Sequence, residues 1–244
     1  MKILKEIFAR FWALWSLILF ISSIIIALLF YMPLLFMNYK KAAEWHRSVS
    51  RIWMSIFLNL IGCPIRINGK ENFSSNENYV IVCNHNSLMD IPVTTPFMPQ
   101  ANKTIAKKSF APIPVFGWIY SWGSVLVDRE SVESRKKSFE LMKKVLQQKL
   151  DMMIFPEGSR NKTGKPLRPF YDGAFKLAKD MHKRIIPVVM FNTKKILPPG
   201  KFFYVMPHQI RTDILPPIET EYISMIDLKE KVFRIMWDHF EANK

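Results

Sequence analysis

Cysteine is nearly missing from this chain of 244 residues: only Cys63 and Cys83 occur, which excludes a disulfide-stapled miniprotein. Glycine is scarce as well, at eight residues, and neither a P-loop nor a GxGxxG pattern is present, which argues against a nucleotide fold. The two cysteines and the histidines at 46, 85, 182, 208 and 239 show no metal-ligand spacing, so neither a metal nor a bound cofactor is expected. Acidic residues are the minority charge, 20 against 35 Lys and Arg, for a formal net charge of +15. What the chain does have is apolar: 49% of it is hydrophobic and 14% aromatic, too much for a disordered basic tail. Apolar and basic together point to nucleic-acid phosphates or to an anionic membrane surface.

The hydrophobic residues are concentrated. No formal charge occurs between Arg10 and Lys40, and a run above ~18 uncharged apolar residues reads as membrane-embedded. The bulky Tyr31-Met32-Pro33-Leu34 that ends it gives no small-residue cleavage site, so a secretory signal is not expected. Basic residues flank both ends, which leaves orientation open, and Pro33 could end a helix that dips into one leaflet and returns. In the next segment Trp45, Val49, Ile52, Trp53, Ile56, Phe57 and Leu60 share one helical face, the pattern of an interfacial helix or of an ordinary packed one. Residues 1–61 are therefore expected to be membrane-embedded and interfacial helices, and 62–244 a separate catalytic-sized domain. Residues 1–37 hold three basic residues and one acidic, so +13 of the charge belongs to the remainder.

Past residue 62 short β-rich runs alternate with helical stretches, which predicts an α/β fold, a mixed and mostly parallel sheet layered by helices. The predicted strands are Cys63–Ile67, Tyr79–Cys83, Thr104–Ala106, Ser124–Val127, Met152–Phe155, Ile185–Phe191 and Phe202–Met206. Helices are predicted near 88–97, 113–121, 132–149, 173–182 and 222–241. The helix from Ser131 carries Arg135, Lys136, Lys137, Lys143, Lys144 and Lys149, a solvated face or a dock for an anionic partner.

Polar residues cluster just after three of these strands: Asn84 to Asp90, Asp128-Arg129, and Pro156 to Arg160. In α/β folds the carboxyl ends of strands open on the ligand crevice. On a regular helix His85 and Asp90 would diverge by ~140°, but they can meet if His85 sits on the turn and Asp90 in the first helical turn. A carboxylate on one ring nitrogen makes the other a general base, although Ser87-x-x-Asp90 is equally a helix-capping box. No nucleophile completes a triad, which favours direct attack by a substrate hydroxyl on an activated acyl group. Arg129 and Arg160 suit a phosphate, with Glu157 between them either orienting them or merely salt-bridged, and Gly158 letting backbone approach a ligand.

At these residues the chain resembles the glycerolipid acyltransferases. His85-x4-Asp90, Gly123-x4-Asp128-Arg129, Phe155-Pro156-Glu157-Gly158-Ser159-Arg160 and Ile186-Pro187-Val188 are similar to that family's four ordered blocks, over about residues 79–190. The 1-acyl-sn-glycerol-3-phosphate acyltransferases are the branch most resembled. The resemblance implies that His85 deprotonates the glycerol 2-hydroxyl of lysophosphatidic acid, held by Asp90, with acyl-CoA or acyl carrier protein as thioester co-substrate and phosphatidic acid as product. Arg129, Glu157, Gly158, Arg160 and Lys107 would line the glycerol-phosphate site, and Pro187 would bound the acyl-chain region. Location at a membrane, on the cytoplasmic face of the inner or plasma membrane, is implied as well. Ser159 stands where Thr is commoner, Asp172 replaces a basic residue and Ser109 an acidic one, which loosens the identity of the acceptor. Another lysophospholipid or a lyso-aminolipid is the nearer alternative, and a non-enzymatic anionic-lipid binder the more distant one. A nucleic-acid partner is not expected, because the basic charge has no recognition module and is joined to a membrane segment.

Overall fold

A computed structural model describes residues 2–128 and 130–244. Helix α1, Lys2–Tyr31, runs unbroken through the uncharged stretch and gives way to a 3-10 turn, Met32–Phe36, where Pro33 cannot continue the α-helical ladder. Asn38 then caps α2, Tyr39–Leu60, its side chain accepting from the Lys41 amide. The two helices lie antiparallel: the Trp12 indole donates to Ile61 O at one end and the Trp45 indole to Phe30 O at the other. Expected face residues of α2 divide between two environments, with Phe57 buried and Ile52, Ile56 and Leu60 more than half exposed.

The body alternates strands and helices as expected. In chain order it contains β1 (Ile65–Asn68), β2 (Val80–Cys83), α3 (Asp90–Phe97), β3 (Asn102–Lys107), α4 (Phe116–Trp122), β4 (Ser124–Val127), α5 (Val132–Gln147) and β5 (Asp151–Ile154). There follow α6 (Gly173–Asp180), β6 (Ile185–Phe191), α7 (Thr193–Ile196), β7 (Ile210–Ile214) and α8 (Met225–Asn243). The seven strands form one sheet in the order β1-β7-β6-β2-β5-β3-β4. All neighbouring pairs are parallel except β6 with β7, so the sheet is mixed and mostly parallel.

Strand alternation sorts the core onto two faces. Val80, Val82, Met152 and Ile154 pack under α5, α6 and α8. Tyr79, Ile81, Cys83, Met153 and Phe155 pack against α3 and against Ala13 of α1 and Met54, Phe57 and Leu58 of α2. The amino-terminal hairpin thus shares a core with the sheet. Helix α1 alone among the described helices is long and apolar enough to cross a membrane.

One strand expectation needs correction. Phe202–Met206 is not a strand: its amides go to Ala9 O (from Val205) and Ile196 O (from Met206), and Phe203 adopts a left-handed φ of 48°. The seventh strand is β7, Ile210–Ile214, where Arg211 and Asp213 hide an otherwise apolar alternation. Their charges are tolerated because they pair with one another at 3.1 Å, and Asp213 also meets His239 and Asn68.

Candidate active site

The site begins where β2 ends. Asn84 continues the ladder with its side chain, Nδ2 donating to Met190 O (2.9 Å) and Oδ1 accepting from Met190 N (2.7 Å), which locks the ends of β2 and β6 together. The next residue, His85, is held by its backbone from the far side: its amide donates to Glu157 Oε1 at 2.8 Å and its carbonyl accepts from Asn161 N at 2.6 Å. With the main chain fixed, the ring lies flat on Phe155, centroids 4.3 Å apart and planes within 24°.

His85 Nδ1 meets Asp90 Oδ2 at 2.8 Å. The same oxygen accepts from the amides of Asn86 (2.6 Å) and Ser87 (2.8 Å). Asp90 therefore does both things its spacing allows. It reaches back as a capping carboxylate would, and because His85 precedes α3 rather than lying in it, that oxygen also meets the imidazole. The Asp90 side chain is fully enclosed while that of His85 is 14% exposed. Three donors and the positive end of α3 stabilise a carboxylate with no water contact. An ionised carboxylate can only accept, so Nδ1 carries the hydrogen and Nε2, with no hydrogen-bond partner among the described residues, keeps its lone pair.

Glu157 is 1% exposed, and its two oxygens are engaged by backbone amides, Oε1 by His85 and Oε2 by Arg168 at 3.0 Å. The salt bridge to Arg160 considered from sequence is not formed. Burial pushes the Glu157 carboxyl up to about 7 against the pull of those two amides, with Asp90 adding to the rise. Gly158 has φ +68°, a backbone conformation that favours glycine, and the exposed Tyr171 ring lies where a Cβ would point. Ser159 accepts from the Arg168 guanidinium. Arg160 is half-buried and has neither a hydrogen-bond nor an ion-pair partner among the described residues.

The strand order decides which other expected residues come near. β5 adjoins β2, so Glu157, Gly158 and Arg160 share the carboxyl edge next to His85. Lys107 ends β3, two strands away, and is exposed at the same edge. Asp128 follows β4, three strands or ~14 Å from β2 at ~4.8 Å per strand; Arg129, expected beside it, lies outside the described residues. Pro187 is not brought to this edge group. It is buried inside β6 opposite Val82, on the face that Ile185 and Val189 turn toward α5, α6 and α8. Cys83 is no candidate nucleophile, since burial pushes its thiol well up and the carboxylates of Asp90 and Glu157 add to that.

Sequence reasoning missed three supporting residues. Asn84 opened the polar cluster noted after the second predicted strand, but its role in joining β2 to β6 was not read from it. Asn161 and Arg168 act through backbone amides, which side-chain identity does not advertise. Asp172, noted for its charge, pairs with Lys229 of α8 at 2.6 Å.

A protein-family model described as Acyltransferase matches residues 64–191. The chain is 30% identical over 188 residues to the 1-acyl-sn-glycerol-3-phosphate acyltransferase of Saccharomyces cerevisiae, covering 75% of this chain and 60% of that one. It is 34% identical over 164 residues to the protein of the same name from Cocos nucifera (66% and 52%). With the Helicobacter pylori protein of that name the figure is 32% over 160 residues (65% and 66%). The chain thus spans between about half and two thirds of the length of these relatives. The crystal structure of the 1-acyl-sn-glycerophosphate (LPA) acyltransferase PlsC from Thermotoga maritima matches with a TM-score of 0.82. That match covers 99% of this chain and 97% of the other at 20% identity, a likeness of fold.

Proposed function

The chain belongs to the Acyltransferase family, and on that premise we propose that it transfers a fatty acyl group to the 2-hydroxyl of 1-acyl-sn-glycerol-3-phosphate. The donor is a thioester, of coenzyme A or of acyl carrier protein, and the product is phosphatidic acid. The observation that carries this reading is the His85–Asp90 contact at 2.8 Å with Nε2 left bare at a partly open edge.

In the proposed reaction Nε2 takes the proton of the acceptor hydroxyl as its oxygen attacks the thioester carbonyl. The C–S bond breaks, the sulfur leaves as thiolate, and His85 returns the proton to it as the thiol. Asp90 stays ionised throughout, fixing the tautomer and stabilising the transient imidazolium. The thioester brings its own activation, so proximity and a base supply most of what remains. Glu157 is a positioning residue, since it holds the amide of His85. Arg160, free of protein partners among the described residues, is proposed to take the acceptor phosphate, with Lys107 at the same edge and Gly158 shaping the turn. A phosphate role for Arg129 rests on its place in the sequence directly after Asp128. An acyl-chain role for Pro187 would act through the sheet rather than by lining the site.

We further propose that residues 1–61 attach the protein to a membrane and that 62–244 form the acyltransferase domain. Exposed apolar side chains along α1, among them Phe11, Ile18, Ile25 and Leu29, support insertion. Pairing of α1 with α2 along its length favours one-sided embedding, because α2 carries Glu44, Arg47 and Arg51, which a spanning pair would draw into hydrocarbon. An apolar groove of about 420 Å³ between the two helices, lined by Ile26, Trp45, Val49, Ile52 and Ile56 among others, fits lipid chains. The cytoplasmic face is assigned because both donors are too polar to cross a bilayer.

The test is transfer by the purified chain in detergent, from acyl-CoA and from acyl carrier protein, to a panel of lysolipids. Phosphatidic acid is the expected product. No transfer to any lysolipid would overturn the enzyme reading, and equal transfer to acceptors without a phosphomonoester would overturn the acceptor.

A further inference from the structure

The segment Leu197–Pro207, Leu-Pro-Pro-Gly-Lys-Phe-Phe-Tyr-Val-Met-Pro, belongs to neither the sheet nor the site described above. It is well anchored. Tyr204 and Val205 are buried, Val205 N donates to Ala9 O of α1, and Met206 N donates to Ile196 O. Lys201 forms an ion pair with Glu6 of α1, and its ammonium lies 4.4 Å from the Tyr204 ring centroid. Between these anchors two adjacent aromatic side chains are turned outward: Phe202 is 85% exposed and Phe203 36%. A firmly held loop that presents two phenyl rings to water leaves apolar surface without a partner inside the chain.

Its position says what the partner is. The anchors lie on the first turns of α1, where the charged residues Lys2, Lys5, Glu6 and Arg10 give way to the uncharged run. That is the level at which a helix entering a bilayer passes the headgroups. On the same stretch Ile7, Phe8 and Phe11 are also exposed. The aromatic tip therefore stands beside the first turns of α1, where the cations Lys5, Arg10 and Lys201 surround the single carboxylate of Glu6. Aromatic rings with basic neighbours are what the interface of an anionic membrane retains. The loop's other end is tied to the catalytic turn, since Ser87 Oγ donates to Leu197 O at 2.7 Å.

We propose that the loop 197–207 is a second membrane contact, its Phe202–Phe203 tip seated in the headgroup boundary of an anionic lipid surface and fixing the height of the His85 edge above it. This rests on the membrane reading of α1 and α2.

The test uses the full chain with single cysteines carrying an environment-sensitive dye; the native Cys63 and Cys83 are buried and do not compete. Three positions are labelled: Phe202→Cys in the loop, Phe11→Cys in α1, and Tyr222→Cys, which is fully exposed before α8. With vesicles of phosphatidylethanolamine and phosphatidylglycerol, the dyes at 11 and 202 should shift to the blue and be quenched by spin labels on the lipid chains, and the dye at 222 should not. Insertion at 11 with an aqueous 202 overturns the loop contact and leaves the α1 reading standing. Insertion at 202 with an aqueous 11 upholds the contact and removes α1 as anchor. A shift at 202 that follows protein concentration without lipid overturns it in favour of self-association. As a second measurement, Phe202→Ser with Phe203→Ser should weaken vesicle binding about 10-fold or more while turnover of detergent-dispersed lysolipid is kept; unchanged binding overturns the proposal.

Discussion

Among the described residues two histidine–carboxylate pairs form at nearly the same distance, His85–Asp90 at 2.8 Å and His239–Asp213 at 2.9 Å. Asp213 is shared: it also takes Arg211 at 3.1 Å and Asn68 at 2.7 Å, so a permanent cation already balances it. Arg211 in turn lies 4.0 Å over the Phe191 ring and donates to Asn243 O, which makes the cluster a fastening for α8. Asp90 has no such cation among the described residues. It is balanced by two amides and by the imidazole itself, and the ring beyond it rests on Phe155 with its second nitrogen bare. Contact distance is shared by both pairs; what separates a base from a fastener is whether a permanent cation already neutralises the carboxylate and whether the ring stands at the carboxyl edge of the sheet or against a packed helix.

The sharpest way to break this contrast is to remove each imidazole. His85→Ala should lower kcat about 10²–10⁴-fold with the circular dichroism spectrum kept, whereas His239→Ala should turn over like the parent. Equal losses would erase the distinction. Removing the charge of each carboxylate comes next. Asp90→Asn should cost about 10²-fold in kcat and, with three donors weakened, on the order of 1–3 kcal/mol in urea unfolding. Asp213→Asn should show a stability loss of similar order with kcat unchanged.

A smaller effect is expected in pH. The Glu157 carboxyl titrates at about 7 when folded and at 4.5 when exposed, so between these values the folded chain binds more protons than the unfolded one. Stability then falls as pH rises through that window, by at most about 3 kcal/mol. Glu157→Gln should flatten this slope in unfolding curves taken across the window; an unaltered slope would dissociate Glu157 from it. The smallest change is the stability of His239→Ala, a loss under about 1 kcal/mol for a partly exposed pair, read from Tm.

Much of this layout was legible in the residues. Ser124–Val127 and Ile185–Phe191 match their strands residue for residue, because β-branched runs bounded by polar residues have few alternatives. Phe202–Met206 misled for the same reason: its composition is β-rich, but the prolines at 198, 199 and 207 and the first turns of α1 hold it as a loop. β7 was hidden by charges whose partners lie in α8 and β1, far along the chain. At the site, the meeting of His85 and Asp90 follows from a turn before a helix and could be anticipated. Glu157 could not. Its side chain reads as a partner for arginines, while its oxygens serve amides that any residue would carry.

The grip on His85 from both of its backbone groups has a consequence for how the protein opens. Its amide is held by Glu157 and its carbonyl by Asn161, both in the loop that follows β5. Neither that loop nor the turn after β2 can detach without breaking the same pair of bonds. The two segments therefore belong to one unit of local unfolding, and their amides should exchange with solvent deuterium in a single correlated event.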